Sequence, residues 1–304
     1  MYLSYFNCQY WPFSLTPNTN QYFGATCHNE AIITLNHALL SGEGFIKVVG
    51  EVGTGKTLLC RKLLNELPAS VHTAYIPNPH LAPNELRHAV ANELGVNLAL
   101  NSDQQEFTQA IQTRLVELHQ AFDHVVLVID EAQALPVESM EALRLITNFE
   151  TETHKLLQVV LLGQPELDEK IALPELRQLK QRITFSCQLS ELDAEQIYYY
   201  VRHRMVKAGY QGPEIFSRDV CRMIKQATRG TPRIINVLSH KILMLMYGKG
   251  LKMATPELVK LAALDTEACN KVSLPWRLNA KAQWRAACLV TVGLCGALLL
   301  FPLA

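Results

Sequence analysis

Gly50-Glu51-Val52-Gly53-Thr54-Gly55-Lys56-Thr57 fills the pattern G-x-x-x-x-G-K-[ST] at every fixed position. Glycines let the backbone curl so that successive N–H groups face one point, and a helix beginning there adds its positive end. Such a curl grips phosphate. Lys56 is placed to reach the β- and γ-phosphates of a nucleotide, and Thr57 to ligate Mg²⁺. The flanks give the context that the motif needs. Phe45-Ile46-Lys47-Val48-Val49 is a short strand-forming run, and a helix is expected from Lys56 to Leu67.

Working outward, strands are expected at 71–76, 124–129, 156–162 and 183–187, with helices at 29–41, 83–94, 103–120 and 138–148. Strands alternating with helices over 45–187 imply an α/β fold, a parallel sheet covered on both faces. From Asp193 the pattern turns all-helical, at about 193–208, 217–228, 232–247 and 255–265. Residues 1–30 hold Tyr10, Trp11, Pro12 and Phe13 and read as an ordered arm, because aromatic side chains seek burial. The segmentation is an arm and first helix to residue 40, an α/β nucleotide-binding domain over 41–190, a helical lid over 191–270, a basic segment over 271–285 and a final apolar stretch over 286–304.

Asp130-Glu131 closes the apolar run Val125–Ile129. Acids at the carboxyl end of a central parallel strand lie beside the phosphate site. Asp130 is expected to hold Mg²⁺, and Glu131 to orient and deprotonate an attacking water.

The charge balance narrows the partners. The 28 basic and 28 acidic residues cancel, and residues 1–270 carry 24 of the former and all 28 of the latter. A weakly acidic body is a poor general binder of nucleic acid. Residues 200–253 run against that average, with eleven Lys/Arg against Glu214 and Asp219. Solvated helix faces, contact with anionic lipid or a protein partner, and DNA remain open for that patch, in that order. The eight cysteines form no C-x-x-C pair and fit reduced thiols in a cytosolic body.

Residues 286–304 contain no charged side chain and follow Arg277, Lys281 and Arg285. As a helix they would span about 28 Å, close to the hydrocarbon thickness of a bilayer. With basic residues on one side only, a transmembrane helix here places residues 1–285 on the cytoplasmic face of the inner membrane.

Four segments occur in order: Gly50–Thr57, Asp130-Glu131-Ala132-Gln133, Leu161-Leu162-Gly163-Gln164-Pro165-Glu166-Leu167 and Gly230-Thr231-Pro232-Arg233-Ile234-Ile235-Asn236. Together with the opening Trp11-Pro12-Phe13-Ser14-Leu15-Thr16-Pro17, they resemble AAA+ ATPases of the general secretion pathway protein A (ExeA) type, nearest to the MSHA pilus-biogenesis members. The resemblance implies a P-loop NTPase with a helical lid, ATP and Mg²⁺, homo-oligomerisation, and inner-membrane partners from a type IV pilus or type II secretion apparatus. It also implies roles. Gln164 matches the sensor-1 position, Arg233 matches sensor 2, and Arg182 matches the arginine finger, with Arg177 as the competitor. The same likeness places the N-terminal segment near the adenine, where Tyr22 or Phe23 could stack, but core packing is the expected use of either ring. A DNA-binding regulator of transposition and a nucleotide-dependent scaffold without hydrolysis are the alternative functions.

Overall fold

The structure is a computed structural model that describes residues 2–77, 79–97, 104–149 and 155–270, with only the backbone described at 104 and 270. After a one-turn helix α1 (Tyr2–Tyr5), α2 (Thr26–Leu40) leads into β1 (Phe45–Gly50), α3 (Lys56–Glu66) and β2 (Val71–Ile76). Next come α4 (Pro83–Glu93), α5 (Gln104–Ala121), β3 (His124–Ile129), α6 (Val137–Ile146) and β4 (Gln158–Gly163). Two short helices, α7 (Glu166–Ile171) and α8 (Arg177–Arg182), precede β5 (Ile183–Leu189). The remainder is helical: α9 (Ala194–Lys207), α10 (Arg218–Thr228), α11 (Pro232–Lys249), α12 (Pro256–Leu264) and α13 (Glu267–Asn270).

The five strands form one sheet in the order β2-β3-β4-β1-β5, and every pair is parallel. Side chains alternate across a strand, so each apolar run feeds two cores. On one face Phe45, Val49, Leu127, Ile129, Val159 and Leu161 pack beneath α4 to α8. On the other, Ile46, Val48, Val126, Val128, Val160 and Leu162 pack beneath α2 and α3. Each such side chain contributes roughly 1.5–3 kcal/mol when fully buried. Continuous Val/Ile/Leu in β3 and β4 is therefore what a centrally placed strand requires.

The N-terminal arm does not join this sheet. Tyr2, Phe6 and Phe13 are buried among Ile197, Val201, Val220, Leu238 and Ile242 of α9, α10 and α11. Arg204 of α9 is 5% exposed, and its guanidinium donates to the carbonyls of Pro12 (2.6 Å) and Ser14 (2.9 Å). The arm is thus an extra layer on the C-terminal helices, while α2 belongs to the sheet.

Several boundaries shift from the sequence expectation. Helix α2 starts at Thr26 rather than 29, β4 starts at Gln158 rather than 156, and α11 runs through Gly248 to Lys249 before Gly250 ends it at φ +67°. Helices α7 and α8 were not expected, since Pro165 and Pro174 break the region into pieces too short to show a period. Among the described residues no helix is long and apolar enough to cross a membrane. The transmembrane helix expected at 286–304 and the basic segment at 271–285 lie outside the described residues.

Candidate active site

Strand β1 delivers Gly50 to the carboxyl edge of the sheet, and the loop turns there into α3. Gly53 and Gly55 stand at φ +84° and +103°, a region that disfavours side chains. Gly50 is constrained by space, because an added Cβ would come 2.8 Å from Thr54 Oγ1. Lys56 is 4% exposed, and its ammonium donates to the carbonyls of Gly50 (2.7 Å) and Glu51 (3.1 Å). Burial pushes its pKa down, and Glu131, Asp130, Glu51 and Glu166 offset that only in part, so the net shift is downward.

The paired acids converge on this loop. Thr57 Oγ1 donates to Asp130 Oδ2 at 2.8 Å, and the Glu131 N–H donates to Asp130 Oδ1 at 2.9 Å. Burial raises the pKa of Asp130, opposed by those two hydrogen bonds. Thr57 and Asp130 are hard oxygen donors in contact, which fits a divalent cation such as Mg²⁺. A cation there would hold Asp130 ionised and neutralise charge on a bound triphosphate.

Glu131 is held differently. It sits at φ +53°, left-handed backbone for a residue with a side chain. Its Oε2 accepts from Gln133 Nε2 (2.6 Å) and Gln164 Nε2 (2.9 Å). Burial alone would raise its pKa, but the two amides and Lys56 outweigh that and the net shift is downward. Glu131 is therefore a carboxylate at neutral pH, beside the phosphate loop.

Gln164 emerges from β4, which lies between β1 and β3, and so stands between the loop and the acids. Arg233 comes from the first turn of α11. Its backbone N–H donates to the Gly53 carbonyl at 3.2 Å, and its Cβ lies 2.7 Å from where a Gly53 side chain would begin. Helix α11 therefore meets the loop at Gly53, a position that the motif leaves variable.

Arg182 and Arg177 are not brought to the loop of their own chain. Arg182 ends α8 just before β5, whose partner β1 carries the loop at its opposite end. Six residues of strand separate the two ends by about 20 Å. Its guanidinium donates to the Arg144 carbonyl (3.3 Å) and Thr147 Oγ1 (3.4 Å), and Arg177 is exposed. Phe23 packs edge-on against Tyr200 with ring centroids 5.5 Å apart, against the core of the C-terminal helices.

Residues 38–171 match the AAA domain family. General secretion pathway protein A of Aeromonas hydrophila is 35% identical over 293 residues, which cover 96% of this chain and 53% of that protein. Residues 38–171 thus carry an AAA domain, and nearly the whole chain is similar to general secretion pathway protein A. It spans about half the length of that curated relative. Solved structures of AAA+ proteins share the fold. The ORC2 protein of Aeropyrum pernix, solved as ADPNP-ADP complexes, superposes with a TM-score of 0.59 at 16% identity, covering 84% of this chain and 71% of its own. Cdc6p of Pyrobaculum aerophilum gives 0.61 at 19% identity, covering 83% and 69%.

The AAA+ site includes two residues that no motif announced as contacts. His28 Nε2 lies 2.8 Å from the Thr54 carbonyl, inside the phosphate loop. A carbonyl only accepts, so Nε2 carries the proton and Nδ1 faces Cys27 Sγ at 3.4 Å. Gln133 is the second, through its bond to Glu131. Neither contact has a signal in the sequence beyond the family segment around Gln133.

Proposed function

We propose that the chain binds and hydrolyses ATP as a membrane-tethered AAA+ ATPase that supports assembly of a type II secretion or MSHA-like type IV pilus apparatus. The observation that carries the ATPase reading is the convergence of Lys56, Thr57, Asp130 and Glu131 on one curled loop, with Arg233 against it. In this reading the loop N–H groups and Lys56 hold the phosphates, and Glu131 takes a proton from the attacking water. Gln164 orients that water from the sensor-1 position.

Arg182 supplies the arginine finger to a neighbouring copy, since its place at the far end of β5 leaves it no route to its own loop. Arg233 acts in the same chain as the lid's sensor. A lid that contacts the γ-phosphate only before cleavage has different affinities for ATP and ADP states, and that difference is what drives motion. The secretion context is supported by the 35% identical relative, and the tether by the uncharged stretch 286–304 behind three basic residues.

Steady-state hydrolysis by the purified full chain tests the first part. Lys56→Ala should lose ATP binding, whereas Glu131→Gln should bind ATP and fail to turn it over. Normal turnover by Glu131→Gln would defeat the assigned base. Fractionation tests the second part: the full chain should pellet with membranes, and recovery of the whole pool in the soluble fraction would refute the tether.

A further inference from the structure

Gln133 lies on a one-turn 3₁₀ segment, Ala132–Ala134, directly after the paired acids. Its side chain closes a ring of hydrogen bonds. Nε2 donates to Glu131 Oε2 at 2.6 Å, and Oε1 accepts the backbone N–H of Gln164 at 3.1 Å. The Gln164 side chain completes the ring by donating to the same Glu131 oxygen at 2.9 Å. A backbone N–H can only donate, so the amide oxygen of Gln133 must face β4 and its nitrogen must face Glu131.

Three further contacts hold the ring in place. Lys170 of α7 donates to the carbonyls of Gln133 (2.5 Å) and Leu135 (2.6 Å), pinning the turn from outside. The Ala134 N–H donates to the Glu131 carbonyl at 2.9 Å, which stabilises the left-handed backbone of Glu131. Gly163 leaves the room that the amide needs, because a Cβ there would stand 3.1 Å from Gln133 Oε1.

We propose that Gln133 is the positioning residue of the Glu131 carboxylate, tying it to the end of β4 and to Gln164. The inference rests on the reading of Glu131 as the base. Both amides bind one oxygen, Oε2, so the carboxylate is locked in rotation with Oε1 turned away from the pair. A carboxylate that approaches a water from a fixed direction gains rate through alignment, without tighter nucleotide binding. Glutamate at 133 would keep the acceptor for the Gln164 N–H but lose the donor and set two like charges together. Methionine would lose both polar atoms at nearly the same volume.

The experiment is single-turnover and steady-state hydrolysis by full-length Gln133→Met, Gln133→Glu and Glu131→Gln, with ATP affinity read by fluorescent nucleotide. Gln133→Met should lower kcat about tenfold with KM and nucleotide affinity unchanged, the mark of a group that acts only in the chemical step. In the Glu131→Gln background the same substitution should change the residual rate less than twofold, because nothing remains to position. Wild-type kcat in Gln133→Met, or an equal loss in both backgrounds, would overturn the proposal. If the methionine variant does not fold, Gln133→Glu carries the same comparison with the same expected loss. Normal turnover by Glu131→Gln overturns the base reading and this inference with it. A dead Glu131→Gln beside an unimpaired Gln133→Met removes the inference alone.

Discussion

The N–H of Arg233 donates to the carbonyl of Gly53 across 3.2 Å, joining the first turn of α11 to the phosphate loop. The approach is close because Gly53 has no side chain. Gly53→Ala should therefore damage two things together. Left-handed backbone costs a residue with a Cβ about 1–2 kcal/mol, and the new Cβ would stand 2.7 Å from that of Arg233. Thermal melting should show a lower Tm, and the further rise in Tm on adding ATP should shrink or vanish.

Removing the Arg233 side chain is a cleaner perturbation, since its backbone bond survives. Arg233→Ala should keep the fold and the apo Tm within about 0.5 kcal/mol of wild type. It should lower ATP turnover by about tenfold or more, as expected of a charge that meets the γ-phosphate. Side-by-side melts and ATPase assays check both halves, and unimpaired turnover would remove Arg233 from the site.

Arg182→Ala should leave ATP binding intact and reduce hydrolysis. Mixing it with Lys56→Ala should restore part of the activity, because each copy supplies what the other lacks. An absence of recovery at any mixing ratio would count against a finger acting between copies, and Arg177→Ala is the matched control.

Cys27 gives a prediction about pH. Burial opposes its ionisation, but the hydrogen bond and charge of His28, with hydrogen bonding at Ser190, outweigh burial and bring the thiol down to about 7. A lowered acid pKa means the thiolate is favoured in the folded protein. That contribution to stability is present above the unfolded value and lost as pH falls through about 7. Alkylation of Cys27 by iodoacetamide should reach half its maximal rate near that pH, and His28→Gln should move the midpoint up toward about 8.5. Cys8, Cys60, Cys187 and Cys221 are all shifted upward by burial and should react more slowly.

Arg204 tests the arm. Replacing it with methionine leaves the carbonyls of Pro12 and Ser14 without their donor in a buried site. Such losses cost about 2–4 kcal/mol. Urea unfolding should show that loss, and limited proteolysis should cut within the first fifteen or so residues before it cuts the sheet.

What the sequence disclosed follows from how local each signal is. Val125–Ile129 and Val159–Leu162 are strands with both faces covered, so apolarity is continuous and the period of the sheet needs no guess. The phosphate loop is legible because its function needs glycine at fixed places. Gly230 was legible only as part of a motif, and the structure supplies its reason: a Cβ would come 2.0 Å from the Leu192 carbonyl, between β5 and α9. His28 was silent, since 26 residues separate it from Thr54 and only the packing of α2 on the sheet brings them together. The arm's position was silent for the same reason, its partner Arg204 standing 192 residues away from Pro12.

The strand order β2-β3-β4-β1-β5 has a bearing on how the chain comes off the ribosome. The strand that leads into the phosphate loop is made first, yet both its neighbours, β4 and β5, are made more than a hundred residues later. A nascent chain that stops short of Gln158 has no ladder on either side of Phe45–Gly50, and therefore no rigid mount for Lys56. Competence to capture nucleotide is acquired late in synthesis, after Asp130, Glu131 and Gln133 have already been made.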